Sequence, residues 1–148
     1  MGLIKHEAQP LLWEKVRAMA NVRNVRLTAA KTAGAGNNWV ITVKYTARFS
    51  QQEWSTSNYN FRDSFQLWEE DNGEWGDFTD DAITGHVSAS TFNPNAAVVN
   101  RTLTYNINGD TLNNDLLGDE RLYAVVRLRN MDLNIRYQGK SEILILAV

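Results

Sequence analysis

Residues 37–50, NNWVITVKYTARFS, alternate without a break. Trp39, Ile41, Val43, Tyr45, Ala47 and Phe49 fall on one side of an extended chain. Val40, Thr42, Lys44, Thr46, Arg48 and Ser50 fall on the other. Successive side chains of a strand point to opposite faces, so a period of two predicts a long strand with one buried face. The preceding GAG and the Asn37–Asn38 pair are turn residues. Before them, NVRLTAAKT (24–32) reads as the antiparallel partner.

The same reading extends through the chain. YNFRDSFQLWEE (59–70) places Phe61, Phe65 and Leu67 on one face, interrupted by Asp63. GHVSASTFN (85–93) is a strand of small residues suited to an edge, stopped by Pro94, which has no N–H for a ladder. AVVNRTLTYNIN puts Val99, Arg101, Leu103, Tyr105 and Ile107 on one face. ERLYAVVRLRN puts Leu122, Ala124, Val126 and Leu128 on one face. LNIRY and SEILILAV close the chain, with Gly139 as the turn between them. The run from Ile143 is apolar on both faces, which predicts a central place in a sheet or contact with a helix.

That helix is predicted at residues 6–20, where Leu12, Val16, Met19 and Ala20 form one stripe and Pro10 suits the first turn. No βαβ alternation is present, which argues against a parallel sheet. The expectation is an all-β protein: an antiparallel β-sandwich of about eight strands with one N-terminal helix, residues 1–148 forming a single domain. A closed barrel is the alternative.

The 148 residues carry a net charge of −2. The sequence pI of about 5.7 argues against a general nucleic-acid binder, which needs a broadly basic surface. RLRNMDLNIR (127–136) holds three arginines, read as exposed strand positions. There is no cysteine, which removes disulfides and thiol chemistry. With no secretory signal and no apolar run of membrane-spanning length, a cytoplasmic location is expected.

Two acidic stretches invite a cation. EEDNGEWGDFTDD (69–81) has seven carboxylates in thirteen positions, and NGDTLNNDLLGDE (108–120) also falls between strands. Counted from Asp71, an EF-hand loop fails, because Gly73, Trp75 and Ala82 occupy ligand positions. If both loops share one end of a sandwich, Asp71, Asp77, Asp80 or Asp81 could face Asp110, Asp115, Asp119 or Glu120, with Asp71, Asp77, Asp80, Asp81, Asp115 and Asp119 the expected ligands. Calcium, with its preference for many oxygen ligands, is the ion such a site would take. In this the loops resemble those of C2 domains, sandwiches that hold calcium between clustered aspartates at one end. The resemblance covers two loops only, and the second lacks the close Asp-x-Asp pair. Solvated turns are the plainer reading of the same residues.

Trp54, Tyr59, Trp68 and Trp75 cluster in the middle of the sequence. Beside amides and carboxylates they would suit a carbohydrate ring or a protein interface; a hairpin packed by its own aromatics accounts for them equally. Catalytic motifs are missing. His6 and His86 lie in different elements, and Ser88 and Ser90, near His86, do not by themselves make a nucleophile–base pair. The expected function is a non-catalytic protein-interaction or assembly module, with a protein partner or self-association. The alternative is a calcium-dependent binder of carbohydrate or a membrane surface.

Overall fold

The computed structural model describes residues 19–34, 36–71, 79–112 and 120–147. Trp39 to Phe49 face inward as their period demands. Ile41, Val43, Tyr45, Ala47 and Phe49 are buried, and Trp39 is half-buried against the core. Their strand, β2 (Asn38–Arg48), is the middle of a three-stranded antiparallel sheet, between β1 (Asn21–Lys31) and β6 (Val98–Asn108).

A second antiparallel sheet is built on β3 (Phe61–Glu69) and β7 (Glu120–Asn130). On its outer side β3 pairs with two short strands, β4 (Asp81–Ala82) and β5 (Val87–Phe92). β7 pairs likewise with β8 (Ile135–Lys140) and β9 (Leu144–Leu146). Among the described residues each flank of this sheet is thus an edge broken in two. Both sheets feed one apolar cluster, with Val43 and Leu103 from one and Phe65, Leu122 and Val126 from the other. Each fully buried side chain of this kind contributes about 1.5–3 kcal/mol of transfer free energy.

Three expectations are corrected or fall outside the description. Residues 6–18 of the predicted helix lie outside the described residues, and Met19 and Ala20 are not helical. The helical segments described are a π-helical turn at Gln52–Thr56 and a single turn, α1, at Gly109–Leu112. Gly139 is not a turn residue; it sits inside β8, opposite Val126. A Cβ at Gly139 would stand 2.5 Å from Val22 Cγ1 and 3.1 Å from Val25 Cγ2, so the missing side chain is what lets β1 close on β8. Val22 and Val25, three apart, both reach it because β1 bulges between Arg23 and Arg26, with Asn24 at φ 53°. The last apolar run is not central either. Among the described residues β9 pairs with β7 alone, and Ile145 is 57% exposed.

The interruption at Asp63 has a physical account. Its carboxylate is fully buried and faces the other sheet. It accepts from the Tyr45 hydroxyl at 2.6 Å and pairs with Arg101, whose Nε lies at 2.8 Å. A charge on the core face is tolerated because it is matched and hydrogen-bonded.

Candidate functional site

The described members of the predicted acidic and aromatic sets do not come together in one place. Asp77, Asp115, Asp119 and Trp75 lie outside the described residues. Asp80 has both oxygens engaged: Oδ1 accepts from the Asp71 backbone N–H at 2.9 Å and Oδ2 from the Tyr123 hydroxyl at 2.6 Å. The Tyr123 bond, foremost, holds the Asp80 pKa below the ordinary carboxylate value. Asp81 is exposed and pairs through its backbone with Glu69. No group of three or more His, Asp or Glu among the described residues could hold a metal ion.

Trp54 and Tyr59 pack against the core at the start of β3. Trp68 is near its far end, about 23 Å away at the usual strand rise. There it stacks on Tyr123 across β3 and β7, with ring centroids 6.4 Å apart. Lys140 lies over the Tyr123 ring at 4.1 Å. Two open grooves, of about 780 and 600 Å³, border β1, and neither is lined by the predicted site residues.

A different constellation emerges on the outer face of β3, β7 and β8. The strand register places Arg62 opposite Arg129, and Arg129 opposite Arg136. Three arginines therefore form a row across three adjacent strands. The next row in the same direction is Ser64, Arg127 and Gln138, and the one after it Gln66, Val125 and Lys140. Arg62 and Arg136 are exposed, while Arg127 and Arg129 are half-buried. None of the four arginines makes an ion pair with a carboxylate among the described residues; the pairs formed are Arg101–Asp63 and Arg121–Glu70.

His86, in the loop before β5, reaches across Ser64 to Arg127. Its Nδ1 lies 3.4 Å from Ser64 Oγ, and its Nε2 is in hydrogen-bond contact with Arg127 Nη2. A guanidinium only donates, so Nε2 must accept and the ring proton resides on Nδ1. Burial, then repulsion from Arg127 and Arg136, holds the His86 pKa below its usual value. The imidazole is therefore neutral at pH 7. The serines near His86 in sequence are engaged elsewhere. Ser88 donates to the Thr104 carbonyl, and Ser90 accepts from Arg101 at 3.2 Å.

Sequence reasoning read Arg127, Arg129 and Arg136 as exposed strand positions, which holds for Arg136 while Arg127 and Arg129 are half-buried; it missed that Arg62 joins them and that His86 belongs with Arg127. The available signal was parity. Arg62 is opposite in phase to Phe61 and Phe65, as Arg127 and Arg129 are to Val126 and Leu128, so all three must leave the core face. Only strand order sets them side by side.

No family model matches the sequence, and no curated protein matches it. Among solved structures, the putative ApaA protein from Bordetella pertussis is similar at 9% identity over 88% of this chain and 96% of that one, with a TM-score of 0.42. Spo0M, a sporulation control protein from Bacillus subtilis, aligns with 87% of this chain and 50% of its own at 9% identity and a TM-score of 0.43. Beta-glucosidase 3B from Thermotoga neapolitana aligns with 88% of this chain but 17% of its own, at 9% identity and a TM-score of 0.35. Likenesses at this level carry nothing about function.

Proposed function

We propose that the protein is a non-catalytic interaction module that docks an acidic segment of a partner protein on the outer face of β3, β7 and β8. The observation that supports this reading is the row Arg62–Arg129–Arg136, with Arg127 beside it, and no described carboxylate paired to any of them. Like charges directly opposite each other destabilise a sheet. An acidic ligand relieves that repulsion on binding. Guanidinium forks also match carboxylates in bidentate geometry, which a lysine patch would not do.

The patch is local within a chain of net charge −2. Its field is suited to a short acidic segment rather than to a polyphosphate backbone, which needs a wide basic footprint. Binding of this kind should weaken steeply with salt, since exposed charges are screened over about 10 Å at 0.1 M.

The test is a titration with a short glutamate-rich peptide at low and high salt, on the wild type and on Arg62→Gln/Arg136→Gln. Salt-sensitive binding that the double variant loses supports the reading. A wild type that does not bind, or a variant that binds equally well, removes it. A concentration-dependent molar mass abolished by the same variant would identify the partner as a second copy of this chain.

A further inference from the structure

The basic face holds one position with more positive charge than a carboxylate can match. Arg127, on β7, has a buried Nε with no hydrogen-bond acceptor among the described residues. A buried donor left without an acceptor costs about 1–3 kcal/mol, so it calls for an explanation. Its Nη2 meets the neutral His86 rather than an anion. Arg129, two residues along the same strand face, is held in place by Asn134 Oδ1, to which its Nε and Nη2 donate at 3.1 and 2.7 Å. Asn134 presents that oxygen from the β7–β8 turn, at φ 54°. Arg136 stands opposite Arg129 on β8. The groups are close enough to act on one another: burial first, then repulsion from Arg136 and Arg129, lowers the Arg127 pKa.

We propose that Arg127, Arg129 and Arg136, with His86 and Ser64 at the rim, form a seat for a phosphate monoester dianion, carried on a phosphorylated serine or threonine of the acidic partner. The inference rests on the docking surface proposed above and adds the chemistry of its central contact. A carboxylate brings one charge and two coplanar oxygens, enough for one guanidinium fork. Three guanidiniums would keep most of their charge unmatched. A phosphate monoester brings a charge of about −1.5 to −2 at pH 7 and three strong acceptor oxygens, which donors on β7 and β8 can approach from different sides. One of those oxygens would give Arg127 Nε its acceptor. A pre-aimed Arg129 lowers the ordering cost of binding. Burial is the first cause that holds His86 neutral and repulsion from Arg127 and Arg136 the second; the negative charge would offset the second, so the ring should respond to occupancy.

The experiment uses three synthetic peptides with the same glutamate-containing flanks and serine, glutamate or phosphoserine at the centre. Each is titrated calorimetrically into the full chain at fixed ionic strength, for the wild type, Arg136→Gln and Arg127→Gln. We expect the phosphoserine peptide to bind the wild type about tenfold or more tighter than the serine peptide, with the advantage lost in both variants. The His86 ring resonances should move on adding the phosphopeptide. Arg136 is exposed, so its variant keeps the test sound if Arg127→Gln disturbs packing. Equal affinity for all three peptides would overturn the phosphate seat and leave the acidic docking surface standing. Binding of none would overturn both. A phosphoserine advantage that survives in Arg136→Gln and Arg127→Gln would place the contact elsewhere and overturn the seat. A single-stranded oligonucleotide of equal charge that binds more tightly, and is lost in the same variants, would overturn the choice of a protein partner.

Discussion

The Tyr45 hydroxyl donates to Asp63 Oδ2 at 2.6 Å, joining β2 of one sheet to β3 of the other through the core. Arg101 completes the clasp. Its Nε and Nη2 reach the same carboxylate at 2.8 and 3.3 Å, Nη2 also reaches Ser90 Oγ at 3.2 Å, and its guanidinium carbon sits 4.0 Å over the Phe92 ring. Burial, then the Asp63 charge and hydrogen bond, push the Tyr45 pKa far up. Removing the acid leaves a half-buried cation and a buried hydroxyl unpaired. Asp63→Ala should cost about 3–5 kcal/mol in urea unfolding. The paired change Asp63→Leu/Arg101→Met should recover much of that loss. A double variant as unstable as the single one would show that the clasp gains more than its own neutralisation.

Glu53 makes a pH prediction. It lies in the π-helical turn, fully buried, and accepts from the Ser50 N–H at 2.7 Å and the Ala20 N–H at 3.1 Å. Ser50 Oγ in return accepts from the Glu53 N–H at 3.3 Å, the reciprocal arrangement of a capping box. The backbone donors favour the charged form, but burial is the larger effect and raises the pKa above 4.5. A raised carboxyl binds protons more tightly folded than unfolded. Its contribution is fully present below pH 4.5 and is lost as pH rises through the folded value. Glu53→Gln keeps one acceptor and sets an amide N–H against the other backbone donor, at a cost of about 1–3 kcal/mol. The stability gap between wild type and variant should therefore narrow from pH 4 to pH 8. Denaturant midpoints across that range check the sign, and a widening gap would contradict it.

Gly139 is predicted to resist even a methyl group. Its added Cβ would meet Val22 Cγ1 at 2.5 Å and Val22 Cβ at 3.0 Å. Gly139→Ala should destabilise by about 1–3 kcal/mol through overpacking, although alanine normally suits a strand better than glycine. Pairing it with Val22→Ala should restore part of the loss, as read from thermal midpoints.

The basic face should show a conflict between binding and stability. Arg62 is exposed and lies opposite Arg129. Arg62→Gln should raise the thermal midpoint at low salt, and the gain should shrink at 0.5 M salt as the repulsion is screened. The same variant should bind the acidic peptide more weakly. A midpoint that falls at low salt would mean that Arg62 has a stabilising partner and would weaken the functional reading of the row. Functional surfaces commonly carry such a stability cost.

Much of the fold was legible because a strand's side-chain period is local. Ile41, Val43 and Tyr45 had to share a face whatever lay around them, and Leu122, Ala124, Val126 and Leu128 likewise. The edge character of GHVSASTFN followed from its composition and held for β5, which among the described residues pairs with β3 alone. Locality failed where two segments decide together. Gly139 looked like a turn residue because glycine often is one, yet its function is to admit Val22 and Val25 from β1. The final run, apolar on both faces, looked central in a sheet or packed on the N-terminal helix; among the described residues it pairs with β7 alone, and helix residues 6–18 lie outside them.

The candidate site divides along the same line. Composition directed attention to carboxylates and tryptophans because they are dense in sequence. Density along the chain is not proximity in space: Trp54 lies in the π-helical turn before β3, and Trp68 near the far end of that strand. Parity within a strand is fixed by backbone geometry, so the order of residues alone sends Arg62, Arg127, Arg129 and Arg136 away from the core. Their standing together, with His86 beside Arg127, depends on which strands pair and in what register. The pairing of β3 with β7 joins residues 53 to 69 positions apart, and such a register is chosen by the burial of both strands' apolar faces, not by any feature of either strand alone.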